Sequence, residues 1–112
     1  MDILFKRSGC VKQSNDFKSL VQKCGNKRAR LVRLRLDQLR AAVCLSDIPY
    51  IPPVRCHELS GNREGQLSVD LDHPYRLIFE PAYDPIPIKQ DSGLDKTRIT
   101  RIKIIEIEDT HD

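Results

Sequence analysis

Asn26-Lys-Arg-Ala-Arg-Leu-Val-Arg-Leu-Arg-Leu-Asp-Gln-Leu-Arg-Ala-Ala-Val43 carries the clearest periodic signal in the chain. Ala29, Val32, Leu36, Leu39 and Val43 step by three and four, so on an α-helix they form one apolar stripe that needs a surface to bury against. Arg28, Arg30, Arg33, Arg35 and Arg40 occupy the other faces. Asn26 is placed to cap this helix. Just upstream, Phe17, Leu20, Val21 and Cys24 fall on one face of a shorter helix, with Ser14 or Asn15 as its cap and Gly25 as its stop. Two helices this close in sequence predict an antiparallel hairpin.

Outward from the hairpin, the period changes. Residues 2–7 read as a short strand, with Ile3 and Phe5 alternating with polar neighbours. Pro49, Pro52 and Pro53 end helical structure. From Gln66 to Leu71 the apolar residues alternate, with Leu67, Val69 and Leu71 on one side. Asp72-His73-Pro74 is a turn, and Tyr75 to Glu80 is the second strand of that hairpin, with Leu77 and Phe79 inward. Residues 81–98 hold Pro81, Pro85, Pro87 and Gly93 and read as a loop, longer than compact domains commonly use and so a candidate mobile or binding segment. Residues 99–108, rich in isoleucine, form the last strand. The order β-α-α-β-β-β predicts an α+β fold, a two-helix hairpin packed on a small, mostly antiparallel sheet. At 112 residues this is one domain, spanning 1–112.

Composition, 39% hydrophobic and 31% charged, is that of a soluble globular protein. No apolar run approaches the roughly 18 residues of a membrane span, and the first residues lack the pattern of a signal peptide. A cytoplasmic protein with no membrane partner is expected. The net charge of +3 hides an asymmetry. Residues 1–56 hold 12 Lys/Arg against 4 Asp/Glu, and residues 57–112 hold 7 against 12. The basic charge is densest at 27–40, a stretch that is either a solvated helix face or a phosphate-attracting one.

Cys10, Cys24, Cys44 and Cys56 show no Cys-x-x-Cys spacing. In a reducing compartment they are expected as free, mostly buried thiols. A zinc site would need Cys56, His57 and His111 to meet, but adjacent residues on a strand point to opposite faces, so no metal or other cofactor is expected.

His57-Glu-Leu-Ser-Gly-Asn-Arg-Glu-Gly-Gln-Leu-Ser-Val69, followed by Tyr75-Arg-Leu-Ile-Phe79, resembles the pattern of HigB-type toxins in the RelE/ParE toxin–antitoxin superfamily. That pattern reads roughly H-x-L-K/S-G-[DN]-R-x-G-x-x-S-[IV], then aromatic-Arg-[IL]-x-F. Ile107-Glu-Asp-Thr-His111 resembles the family's closing [IV]-x-D-Y-H. The element order is similar to the RelE-like fold over essentially the whole chain, and the long 81–98 loop resembles a sub-group labelled killer suppression proteins. The resemblance implies a type II toxin that cleaves mRNA in the ribosomal A site. It also implies a helix-turn-helix antitoxin as partner and, through that antitoxin, binding to operator DNA. Two positions depart from the pattern. Ser60 stands where many relatives carry lysine, and Thr110 where tyrosine is usual. They remove a phosphate-neutralising charge and a stacking surface, which predicts a weak nuclease.

RNA can be cut without metal when its 2′-hydroxyl attacks the neighbouring phosphate, helped by a base, an acid and cations. Histidine suits the proton transfers and arginine suits the phosphate. His111 is the first candidate for acid or base, with Asp109 to orient it; the alternative is a frayed chain end. Arg76, mid-strand, would stabilise charge on the phosphate, or instead pair with Asp70 or Glu106. Arg63, between Gly61 and Gly65, would contact phosphate, or be a solvated turn residue. His57 is a second acid or base, or a histidine bonded into the strand start. Ser60 can donate to phosphate, and His73 is expected merely exposed. Arg28, Arg33 and Arg35 would dock ribosomal RNA or an acidic antitoxin segment. The nuclease reading requires these imidazole and guanidinium groups to share one concave, electropositive pocket.

Two other function classes stay open. A ParE-like relative would poison gyrase, or serve as an inactive partner in an operator-binding complex, with no need of the histidine–arginine set. A structural RNA-binding protein would rest on the basic helix alone.

Overall fold

The structure, a computed structural model, describes residues 1–6 and 17–109. The proposed caps Ser14 and Asn15, together with Cys10, Thr110 and His111, lie outside the described residues. Strand β1 (Asp2–Phe5) is followed by α1 (Phe17–Cys24) and α2 (Asn26–Ala41). Then come β2 (His57–Glu58), β3 (Leu67–Asp70), β4 (Tyr75–Pro81) and β5 (Arg101–Asp109). Short 3₁₀ turns occupy Leu45–Asp47, Gly61–Arg63 and Lys96–Arg98. The expected order therefore holds, with one addition. The two-residue edge strand β2 is too short for any periodicity to reveal it.

The two helices meet at Gly25, whose φ of 84° lies in the left-handed region that a side chain disfavours. Its amide donates to the Val21 carbonyl, closing α1, while its own carbonyl accepts from Ala29 and opens α2. Gly25, not Asn26, takes the N-cap position, and among the described residues no side chain caps α2. Ala29, Val32, Leu36 and Leu39 are buried as the stripe requires. Val43 lies past the end of α2 and is 77% exposed, because the helix stops two residues before it.

The sheet order is β1-β5-β4-β3-β2 among the described residues. β1 runs parallel to β5, and the other three pairs are antiparallel. Leu67 and Val69 of β3 pair with Phe79 and Leu77 of β4, which pair in turn with Ile104 and Ile107 of β5. These residues form one side of the sheet and join the α2 stripe in a single core. On the other side Ser68 and Ile78 face each other across β3 and β4, and both are fully buried. The β4–β5 register slips at Ile78/Phe79, where β5 carries one extra residue, Ile105. The segment 81–98 is tied by an isolated bridge between Ile88 and Leu94 and by a bond from the Asp95 amide to the Pro87 carbonyl.

Arg35 corrects the reading of α2 as arginine on every face but one. It is 4% exposed. Its Nε donates to the Asp70 carbonyl at 2.7 Å, Nη1 to Gln38 Oε1 at 3.1 Å and Nη2 to the Pro53 carbonyl at 3.2 Å. Burial lowers its pKa from the ordinary arginine value, against the charge of Asp70. Arg35 thus ties the helix layer to the loop before β2 and to the end of β3. Of the described cysteines, Cys24 and Cys44 are half-buried and Cys56 is buried. Its desolvation pushes the thiol up to about 11, against the pull of Lys96.

Candidate functional site

Strand alternation sorts the polar side chains onto the sheet face turned away from α1 and α2. Because Leu67, Val69, Leu77 and Phe79 point into the core, Ser68, Asp70, Arg76 and Ile78 point away from it. The β4–β5 register places Glu108 opposite Arg76 and Glu106 opposite Ile78, and the β2–β3 register places His57 opposite Ser68. Cys56 packs in the core, so the adjacent His57 faces the other way and the two do not converge.

Arg76 is the hub of this face. Its Nη1 lies 3.5 Å from Ser68 Oγ and its Nη2 3.6 Å from Glu108 Oε2. Its Nε is buried without a hydrogen-bond partner among the described residues. Arg63 reaches the same carboxylate from the Gly61–Arg63 turn, past β3 and β4. Nε donates to Glu108 Oε1 at 3.0 Å, Nη1 to Gln66 Oε1 at 3.0 Å and Nη2 to Glu106 Oε1. Burial works against its charge, but Glu106 and Glu108 outweigh that and raise the guanidinium pKa above its ordinary value. Gly61 (φ 64°) and Gly65 (φ 90°) bracket this turn in left-handed conformations and let the chain double back over the sheet.

Beside the arginine cluster, a cleft of about 250 Å³ is lined by Arg55, His57, Asp70, His73, Tyr75 and Arg76. Arg55 Nη1 pairs with Asp70 Oδ2 at 3.3 Å. Arg55 has a φ of 47°, an unusual backbone for a non-glycine residue, and its amide is held by the Ile51 carbonyl at 3.0 Å. Of the sequence candidates, His57 and Arg76 line this cleft, and Arg63 joins Arg76 through Glu108. The expectation of an electropositive pocket needs correction, because Glu106, Glu108 and Asp70 pair with Arg63, Arg76 and Arg55.

The remaining candidates sit elsewhere. Asp109 pairs with Tyr75 at the end of β5, so alternation turns it to the opposite face from Glu108. Ser60 is exposed at the start of the Gly61–Arg63 turn, where its carbonyl accepts from the Arg63 amide. His73 is exposed at the β3–β4 turn, yet also lines the cleft. His111 falls outside the described residues. The arginines of α2 lie on the helix side. Arg28 makes a two-pronged bond to Asp72, at 3.0 and 3.1 Å, and stacks 3.4 Å from the Tyr75 ring centroid. Arg33 lies over Phe17 at 4.8 Å, and Arg35 is enclosed. Arg28 thus touches the rim of the cleft through Tyr75, whereas Arg33 and Arg35 do not line it.

Sequence reasoning missed Arg55 and the bridging role of Glu108. The second was signalled by the alternation of isoleucine and acid in Ile105-Glu-Ile-Glu108, which marks a half-buried strand with a carboxylate-bearing open face. For Arg55 nothing in the sequence marks its place.

No family model matches the sequence, and no curated protein matches it. Solved structures do resemble the fold. A YoeB/ParE toxin from Agrobacterium tumefaciens is 11% identical and superposes with a TM-score of 0.55 over 99% of this chain and 100% of its own. The YoeB–YefM complex from Staphylococcus aureus aligns at 15% identity and a TM-score of 0.54, over 99% of this chain and 98% of that one. The YoeB dimer from the same organism aligns at 18% identity with the same TM-score and coverage. At such identities the shared property is the fold: two helices on a five-stranded mixed sheet, the architecture of the YoeB/ParE-type toxins.

Proposed function

We propose that this chain is the toxin of a type II toxin–antitoxin pair, a metal-independent endoribonuclease of the HigB type that cuts mRNA on the ribosome. The observation that carries this reading is the shared placement of His57 and Arg76 in one cleft on the open face of a toxin-like sheet. His57 is exposed and free to exchange a proton with a 2′-hydroxyl or a leaving 5′-oxygen. Arg76, fixed mid-strand, offers a planar charge to the phosphate as it gains negative character. The sequence resemblance adds His111 as the second proton-transfer group and Asp109 as its neighbour. The loss of lysine at Ser60 and of tyrosine at Thr110 makes the enzyme weak. The partner is a helix-turn-helix antitoxin, through which the complex reaches operator DNA.

Brief induction of the chain in bacteria, followed by sequencing of RNA 5′ ends, tests the proposal. New ends inside translated reading frames are expected, and His57→Ala, Arg76→Ala and His111→Ala should each remove them. Wild-type cutting by all three variants refutes the site. A second reading, a non-catalytic gyrase poison, draws on the carboxylates that already neutralise Arg63 and Arg76. Growth arrest with DNA-damage signalling and no new RNA ends would favour it.

A further inference from the structure

Two arginines and two carboxylates form a closed electrostatic group on the open face, and stability alone does not account for it. Arg63, Arg76, Glu106 and Glu108 have side chains 26%, 30%, 41% and 28% exposed, and ion pairs so accessible to water contribute little to folding. The engagement is also uneven. Arg63 uses three donors on Glu106, Glu108 and Gln66, whereas among the described residues Arg76 makes long contacts and its buried Nε has no hydrogen-bond partner. Arg76 is thus the more loosely held guanidinium of the two, set beside the cleft that holds His57.

The two acids alternate along β5, so their side chains project from the same face, and both carboxylates converge on the one guanidinium of Arg63 while Glu108 also reaches Arg76. We infer that Glu106 and Glu108 are an internal phosphate mimic: they hold Arg63 and Arg76 in the unliganded protein and give way to the phosphodiesters of a single-stranded RNA. The inference rests on the RNA-cleaving reading of the cleft. With the carboxylates in place, the cluster carries no net charge and attracts RNA weakly. A bound strand exchanges two internal anions for two external ones, and the arginines are already arranged when it arrives.

The test is binding of a 2′-O-methyl RNA oligonucleotide, which cannot be cleaved for want of a free 2′-hydroxyl, followed by fluorescence anisotropy across a salt series. Glu108→Gln keeps an oxygen acceptor for the arginines but removes the charge. It should tighten binding roughly fivefold, the scale of one unit charge at 4 Å in water. Glu106→Gln combined with Glu108→Gln should tighten it further. The dependence of log affinity on log salt should steepen by about 0.7 for each phosphate newly engaged. Glu80→Gln, on the same face of β4 but bonded to neither arginine, is the reference for a general loss of negative charge.

A gain for Glu108→Gln no larger than for Glu80→Gln overturns the inference, as does a gain that survives in an Arg63→Ala, Arg76→Ala background. Should the glutamine variants fail to fold, inorganic phosphate titrated onto the wild-type chain supplies the measurement. The Nε–H resonances of Arg63 and Arg76 should shift and saturate, and their indifference to phosphate overturns the inference. Tighter binding in the variants without cleavage of unmodified RNA keeps the mimic and refutes the nuclease. Cleavage with no effect of Glu108→Gln does the reverse.

Discussion

Arg76 on β4 and Glu108 on β5 stand directly opposite one another across an antiparallel ladder, guanidinium and carboxylate 3.6 Å apart. Their meeting is a consequence of register. A slip of one residue would turn Glu108 into the core and bring Ile107 to face the arginine. The bulge at Ile105 lies further along the same strand, so the pairing from Tyr75 to Ile78 is regular beside the cleft.

Replacing His57 should separate chemistry from folding. The side chain is exposed, so His57→Ala should change stability by less than about 0.5 kcal/mol. On the proposed ribonuclease reading, losing this general acid or base should lower single-turnover RNA cleavage by roughly 10²–10⁴-fold. Arg76→Lys should not restore cleavage lost in Arg76→Ala, since an ammonium lacks the planar fork. A melting curve beside the cleavage assay checks both, and full activity in His57→Ala would remove it from the site.

Arg35→Ala should be among the most destabilising changes on α2. It strips the Asp70 and Pro53 carbonyls of their donor and leaves a void beneath the helix. A cost of about 2–4 kcal/mol is expected. Arg33→Ala, exposed and stacked on Phe17, should cost less than about 1 kcal/mol. Urea unfolding midpoints at constant slope give the comparison. Equal costs for the two would show that the Arg35 bonds contribute nothing.

Cys56 makes stability depend on alkaline pH. Burial raises its folded-state pKa from the ordinary 9.0 to about 11, so the folded chain keeps a proton that the unfolded chain releases. The contribution is complete below pH 9 and is lost as pH rises towards 11, amounting to roughly 2–3 kcal/mol. Cys56→Ala should flatten this part of the stability–pH curve, measured by chemical denaturation from pH 8 to 11. Parallel wild-type and variant curves would contradict it.

Arg28, Asp72 and Tyr75 should behave as one unit. The forked bond to Asp72 and the stack on Tyr75 join α2 to the β3–β4 turn. Burial of Arg28 opposes its charge, but Asp72 more than compensates and raises the guanidinium pKa. A double-mutant cycle of Arg28→Ala and Asp72→Ala should show coupling of about 1 kcal/mol. Additive losses would mean the bond is spent on water.

Much of this architecture was legible before folding. The stepping of Ala29, Val32, Leu36 and Leu39, and the alternation of Leu67, Val69, Leu77 and Phe79, specify which faces must be buried, because apolar surface leaves water whatever the partner. Those patterns sufficed for the helices, the three long strands and the α+β class. The chain also showed that histidine and arginine were available for work on phosphate. Periodicity is silent where an element is as short as His57–Glu58, or where, as at Arg35, a charge is buried by acceptors distant in the sequence.

Tertiary structure alone decided which charges meet. Arg63 and Glu106 are 43 residues apart, and their contact depends on the order β5-β4-β3-β2, on the strand register and on a turn closed by two left-handed glycines. Local propensity carries no information about such a distance. That is why the sequence determined the layers and the residue types of the site, while the fold determined that its arginines arrive already paired with acid.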